Sequence, residues 1–146
     1  MEKLIDAMKR ALADSFAMYL KAHYYHWNVE GSDFYQLHGL FDTIYSEVYG
    51  SIDSTAEHIR ALGGYAPGSL GRFSELSQIE DENTVPAGLE MVNRLAADNT
   101  KVIASLTKAQ QLAEDLGKVG VSNYLQDRID QHEKHAWMLR ATGARK

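Results

Sequence analysis

Residues 34–62 read FYQLHGLFDTIYSEVYGSIDSTAEHIRAL, and two patterns are superimposed on them. Leu37, Phe41, Ile44, Val48, Ile52, Thr55, Ile59 and Leu62 recur at near-heptad spacing. That spacing predicts one long helix from about Phe34 to Leu62 with an apolar stripe for a core. Asp33 stands at the N-cap position, and Gly63-Gly64 supplies the terminating glycine. The second pattern is polar. His38, Asp42, Asp53 and Glu57 are symmetric about a point between Glu47 and Val48. With His38 at zero, a helix places Asp42 near 40°, Asp53 near 60° and Glu57 near 100°. The apolar stripe is centred more than about 100° away. One face therefore enters a core, while the other carries His, Asp or Glu at each of the four symmetric positions.

The flanking sequence predicts more helices. Leu4, Met8, Leu12, Phe16, Tyr19 and His23 keep helical spacing from about Glu2 to Val29, until Gly31-Ser32-Asp33 breaks the pattern. Residues 65–83 hold Pro67, Gly68 and Gly71, then Arg72-Phe73-Ser74-Glu75-Leu76, a candidate short crossover helix. A further helix is predicted from Thr84-Val85-Pro86, with Thr84 as its cap, through Leu95, Val102 and Leu106 to Leu116. After a turn at 117–120, a last helix is predicted from Ser122 to Arg140, leaving 141–146 as a short tail. Two helix pairs joined by a long middle connection describe an all-α, four-helix bundle with one crossover, the ferritin-like arrangement. The 146 residues suit a single domain over 1–146.

Composition narrows the function classes. Hydrophobic residues make up 45% and charged residues 24%, as in ordinary globular domains. Cysteine is absent, which excludes disulfides, thiolate metal sites and a cysteine nucleophile. The start, Met1-Glu2-Lys3-Leu4-Ile5-Asp6, lacks the apolar run of a signal peptide, and no segment has the roughly 18 apolar residues of a membrane span. A cytoplasmic protein is expected. The net charge of −5 suits cations better than nucleic acid.

The four polar residues cannot form one site within a chain. Asp42 and Asp53 would lie about 16 Å apart along a helix. An antiparallel copy across a two-fold axis converts two half-sites into two whole ones, each with His38 and Asp42 from one chain and Asp53 and Glu57 from the other. His26 has a route into the same site, because the first helix ends near the start of the second. Two imidazoles and three carboxylates suit divalent iron, manganese or zinc, and several carboxylates allow a second ion for two-electron chemistry. The plainer alternative is a solvated polar face.

The run His26-Trp27-Asn28-Val29-Glu30-Gly31, then Phe34, Leu37-His38 and Phe41-Asp42, and finally Asp53-Ser54-Thr55-Ala56-Glu57-His58-Ile59-Arg60-Ala61-Leu62-Gly63-Gly64, resembles the Dps proteins, or miniferritins. The similarity continues through Glu133-Lys134-His135-Ala136-Trp137-Met138-Leu139. In that family the equivalents of His26, His38, Asp42, Asp53 and Glu57 are the ferroxidase ligands, at the two-fold interface between subunits. The resemblance implies a hollow homododecamer that oxidises Fe2+, usually with hydrogen peroxide in preference to dioxygen, and stores Fe3+ as mineral, which limits hydroxyl-radical formation. Ordinary ferritins build intrasubunit sites from Glu-x-x-His pairs, and this chain has none.

The same resemblance places Trp27 near the iron site, where it takes up oxidising equivalents or serves as an interface anchor. It makes Asp127 and Asp130, with Glu133 in reserve, candidates for an iron-admitting three-fold pore, against the alternative of a solvated acidic face. Asn123 departs from the acid found there in many members. His23-x-x-His26 and His132-x-x-His135 can bind metal in principle; packing or surface roles are expected for His23, His132 and His135. Some members compact DNA, or associate with the nucleoid, through flexible basic tails. Here the cations are Lys3 ahead of the first helix and Arg140, Arg145 and Lys146 at the other end, so weak or absent DNA binding is expected. The alternatives to a ferroxidase are a DNA-protecting shell with a vestigial metal site and an inert helical oligomer.

Overall fold

The computed structural model of the chain describes residues 1–143, which form six helices and, among the described residues, no strand. They are α1 (Glu2–Asn28), α2 (Phe34–Gly50), α3 (Ile52–Ala61), α4 (Leu70–Leu76), α5 (Gly88–Asp115) and α6 (Val119–Gly143). The four rods of the bundle are α1, α2 continued by α3, α5 and α6. Helix α1 is the hub, touching α2 to α5, and α5 packs along α6. The short α4 lies in the crossover against α1, capped by the Ser69 hydroxyl, which accepts from the Arg72 N–H.

The apolar stripe does what its spacing predicts. Leu37, Phe41, Ile44, Val48 and Ile59 are buried against Leu4, Met8 and Met18 of α1, Met91 and Leu95 of α5, and Leu125 and Leu139 of α6. Each such side chain contributes about 1.5–3 kcal/mol by leaving water. Buried Asp14 ties the crossover down: it accepts from the Ser77 hydroxyl and the Gln78 N–H, both at 2.8 Å, and from the Ser105 hydroxyl of α5.

Three of the predicted helices differ from their predicted bounds. First, the helix predicted over Phe34–Leu62 is interrupted at Ser51. The Ser51 hydroxyl bonds back to the Val48 carbonyl at 2.6 Å, and the Ser51 N–H bonds to the same carbonyl at 3.0 Å. The Ser51 carbonyl takes the Thr55 and Tyr124 hydroxyls. A Gly-Ser pair whose side chain competes for backbone partners is a recognised helix break.

Second, α5 starts at Gly88, not at Thr84. The Thr84 hydroxyl and N–H both donate to Glu82 instead of capping a helix, so Pro86 stays outside. Gly88 lies so close to α2 that a Cβ would come within 2.6 Å of a Leu37 methyl.

Third, α6 is longer at both ends. Gly117, at φ 69°, closes α5, and Lys118 N–H bonds back to Ala113, so a new helix starts at once. At the far end Ala141 and Thr142 continue the helix to Gly143. The tail therefore does not begin at 141, and Arg145 and Lys146 lie outside the described residues.

Candidate metal centre

Gly31, at φ 108°, turns the chain so that the start of α2 comes back beside the end of α1. His26 and His38 then face each other with rings stacked 3.7 Å apart. Their Nδ1 atoms are used reciprocally: His26 Nδ1 lies 2.8 Å from the His38 carbonyl, and His38 Nδ1 lies 2.7 Å from the His26 carbonyl. A carbonyl only accepts, so each Nδ1 carries a proton, and in the neutral ring that leaves the lone pair on Nε2. Fixing one ring nitrogen this way orients the other for a metal. Asp42, one turn beyond His38, places a carboxylate oxygen 3.9 Å from His26 Nε2. Its other oxygen accepts from the Ser46 hydroxyl at 3.1 Å. The Asp42 side chain is half exposed.

Asp53 and Glu57 sit one turn apart on α3, both exposed and beyond the break at Ser51. The structure brings together His26, His38 and Asp42, and does not bring Asp53 or Glu57 to them. Among the described residues, no three His, Asp or Glu side chains of one chain converge well enough to hold an ion. The chain presents two imidazoles and one carboxylate in one place and two carboxylates in another.

Trp27 is exposed, with its ring centre 4.1 Å from that of His23. His23 stacks on Tyr45, and burial, with the neighbouring His26, holds its pKa below the usual histidine value. Asp127, Asp130 and Glu133 are exposed on α6.

A second cluster, missed as a unit by sequence reasoning, lies inside the bundle. Glu47 of α2 points inward and accepts from both terminal nitrogens of Arg128 and from His135 Nε2 at 2.8 Å. Arg128 also donates to His132 Nε2 at 3.1 Å. His132 Nδ1 donates to the Asn99 side-chain oxygen at 2.7 Å, and Asn99 returns a bond to the His132 carbonyl at 2.8 Å. Burial and the adjacent Arg128 push His132 down to about 3, so it is neutral. Burial alone would raise Glu47, but bonds from His135 and Arg128 outweigh it and hold the carboxyl at about 2. His132 and His135 thus have packing roles, as expected. The hint in the sequence was Glu47, the one acid of residues 34–62 at the centre of symmetry and off the polar stripe.

A bundle of two helix pairs with one long crossover and a histidine–carboxylate cluster on its face is a ferritin-like architecture. Residues 5–144 match the family described as the ferritin-like domain. DNA protection during starvation protein 2 of Bacillus anthracis is 31% identical over 140 residues, covering 96% of each chain. General stress protein 20U of Bacillus subtilis is 32% identical over 140 residues, covering 96% of this chain and 97% of its own. Among solved structures, a Dps protein from Bacillus brevis superposes with a TM-score of 0.91 at 29% identity, covering 97% of this chain and 95% of its own. The Dps of Vibrio cholerae, described as a member of a broad superfamily of ferritin-like diiron-carboxylate proteins, gives 0.91 at 29%, covering 96% and 88%. The chain belongs to the ferritin-like family, and within it to the Dps proteins. No helix among the described residues is long and apolar enough to cross a membrane.

Proposed function

We propose that this chain is a cytoplasmic ferroxidase and iron store. Fe2+ is bound at centres shared by two chains, His26, His38 and Asp42 from one and Asp53 and Glu57 from its two-fold partner. Two ferrous ions each give one electron to hydrogen peroxide, and both oxygens leave as hydroxide or water, so no hydroxyl radical is released. Dioxygen is the slower oxidant. Fe3+ is then kept as mineral inside a hollow dodecamer. In this reading the two Nε2 atoms ligate iron, and the reciprocal Nδ1 bonds hold the rings in place. The carboxylates neutralise the ions and bridge them. The acidic Asp127 and Asp130 line the route by which iron enters.

The observation that carries the proposal is the pair of histidines locked by each other's carbonyls with both Nε2 atoms free beside Asp42. A merely solvated polar face has no need of that arrangement.

The relatives' names also raise DNA protection. In this chain protection follows from removing iron and peroxide together, without a grip on DNA. What supports this is the net charge of −5, which opposes the phosphates of a duplex.

The test loads the purified protein anaerobically with ferrous iron, adds stoichiometric peroxide, and records protein and ferric absorbance together on a calibrated sizing column. The expected result is ferric absorbance eluting with a particle of twelve 16.4 kDa chains, about 197 kDa. A cage without iron favours the shell with a vestigial site. A dimer that retains no iron contradicts the proposal.

A further inference from the structure

The carboxylate half of the candidate centre stands on a short helix with little burial of its own. Helix α3 follows the break at Ser51, spans only Ile52–Ala61, and buries just Thr55 and Ile59. On a helix Thr55 and His58 lie about 60° apart, and Asp53 and Glu57 lie about 40° apart and roughly 150° round from them. So α3 has a back at Thr55 and His58 and a front that carries the two acids.

One side chain of another helix grips that back. The Tyr124 hydroxyl of α6 donates to the Ser51 carbonyl at 3.0 Å and lies 2.7 Å from the Thr55 hydroxyl. The Tyr124 ring stacks on His58, with centres 4.2 Å apart and planes at 18°. His58 is held in turn by its Nδ1, which donates to the Ser54 carbonyl at 2.7 Å. The same stretch of α6 grips the other side of the break. Arg128, one turn after Tyr124, binds Glu47, one turn before Ser51, through both terminal nitrogens. Tyr124 and Arg128 thus straddle the break as a splint, one holding α3 and the other α2. The remaining bonds at Ser51 are local: its hydroxyl and N–H return to Val48, and the Thr55 hydroxyl returns to Ser51. They shape the break without reaching another rod of the bundle.

The histidine half needs no such splint, because His26 and His38 lock each other. Asp53 and Glu57 depend on the angle at Ser51. Glu57 stands about 9 Å along the axis beyond Ser51, so a tilt of about 10° moves it by about 1.5 Å. Misplacing a reacting group by about 1 Å can cost about 100-fold in rate.

We propose that Tyr124 is a positioning residue for the iron centre: it fixes α3 against α2 at the Ser51 break, and so sets where Asp53 and Glu57 meet the histidine half of the partner chain. The inference rests on the shared-centre reading. Tyr124 acts through Ser51, Thr55 and His58, none of which is a proposed ligand.

The test uses Tyr124→Phe, which keeps the ring on His58 and removes the hydroxyl. The first arm is free of metal. In the assembled protein, amide hydrogen exchange over 52–61 should rise about tenfold or more while exchange in α5 is unaltered. Exchange unchanged in α3, or raised alike in both helices, overturns the proposal. In the second arm, chains carrying His26→Ala, His38→Ala and Asp42→Ala are co-assembled with chains carrying Asp53→Ala and Glu57→Ala. Ferric iron is followed after peroxide is added to the ferrous-loaded assembly. Only the first kind of chain supplies Asp53 and Glu57. Tyr124→Phe placed in that kind should cut the recovered rate about tenfold or more, and placed in the other kind it should cost less than about twofold. Equal losses in the two placements reveal a general loss of stability and overturn the proposal, as does no loss in either. If the pair without Tyr124→Phe recovers no ferric iron, the shared-centre reading itself fails and takes this proposal with it.

Discussion

Two places in this chain hold two histidines and a carboxylate, and they have opposite fates. Inside the bundle, His132, His135 and Glu47 surround Arg128, whose guanidinium supplies the cation the carboxylate needs. At the end of α1 and start of α2, no Lys or Arg among the described residues pairs with Asp42, and the Nδ1 atoms of His26 and His38 are spent on backbone carbonyls. In the interior cluster the carboxylate is already neutralised, and only His135 Nδ1 is left without a partner among the described residues; in the surface one both Nε2 atoms and a half-exposed carboxylate are left over. Residue inventory does not make a metal site. What decides is whether the protein provides its own positive charge.

Each cluster can be disabled separately. The largest effect should come from Asp53→Ala with Glu57→Ala, which removes the carboxylates the surface half-site lacks. Iron oxidation, followed as ferric absorbance in stopped flow, should fall by more than about 100-fold, since losing even an outer-shell partner of a metal site costs 10–100-fold. Assembly should survive. Loss of assembly with those two changes would mean the stripe merely glues chains together.

At the interior end, Glu47→Ala should destabilise the fold by about 3–5 kcal/mol, because Arg128 is left buried without its partner. Chemical denaturation measures it. A cost below about 1 kcal/mol would show that the guanidinium finds water in place of Glu47.

Acid should separate the clusters too. His132 has a folded pKa of about 3 against 6.5 when unfolded, so only the unfolded state takes up its proton as pH falls below 6.5. Its stabilisation is complete above 6.5 and is lost on the way down towards 3, with a limiting slope of about 1.4 kcal/mol per pH unit. Glu47, at about 2 against 4.5, adds the same sign of loss below 4.5. Denaturation midpoints at pH 7, 6 and 5 should fall in step in the unaltered protein and flatten in His132→Asn, which cannot titrate; a slope unchanged by that substitution would place the acid sensitivity elsewhere.

The smallest effect concerns DNA. Both clusters turn their chemistry to cations or to the core, and a duplex should show no gel shift at about 0.15 M salt. A shift that vanishes on deletion of 144–146 would give the tail a role that the clusters do not have.

Much of this was legible in residues 34–62. Apolar spacing located the core face, and the His, Asp and Glu choice located the polar one. What spacing could not show was the break at Ser51, because a Gly-Ser pair is permissible within a helix and stops it here only through the Val48 and Tyr124 contacts from other turns and helices. Thr84 reads as a cap, yet Glu82 two residues earlier captures it. The interior cluster was hidden for the same reason: Glu47, Asn99 and Arg128 come from three helices, and nothing local says they meet.

If each centre is completed by a second chain, two inactive variants should complement one another. One variant carries His26→Ala, His38→Ala and Asp42→Ala, and the other Asp53→Ala and Glu57→Ala. Each alone should be inactive in iron oxidation. Co-expressed and co-assembled at random, half the dimers are mixed and each has one whole centre, so about a quarter of the unaltered activity should return. A mixture as inactive as its parents would contradict a shared centre.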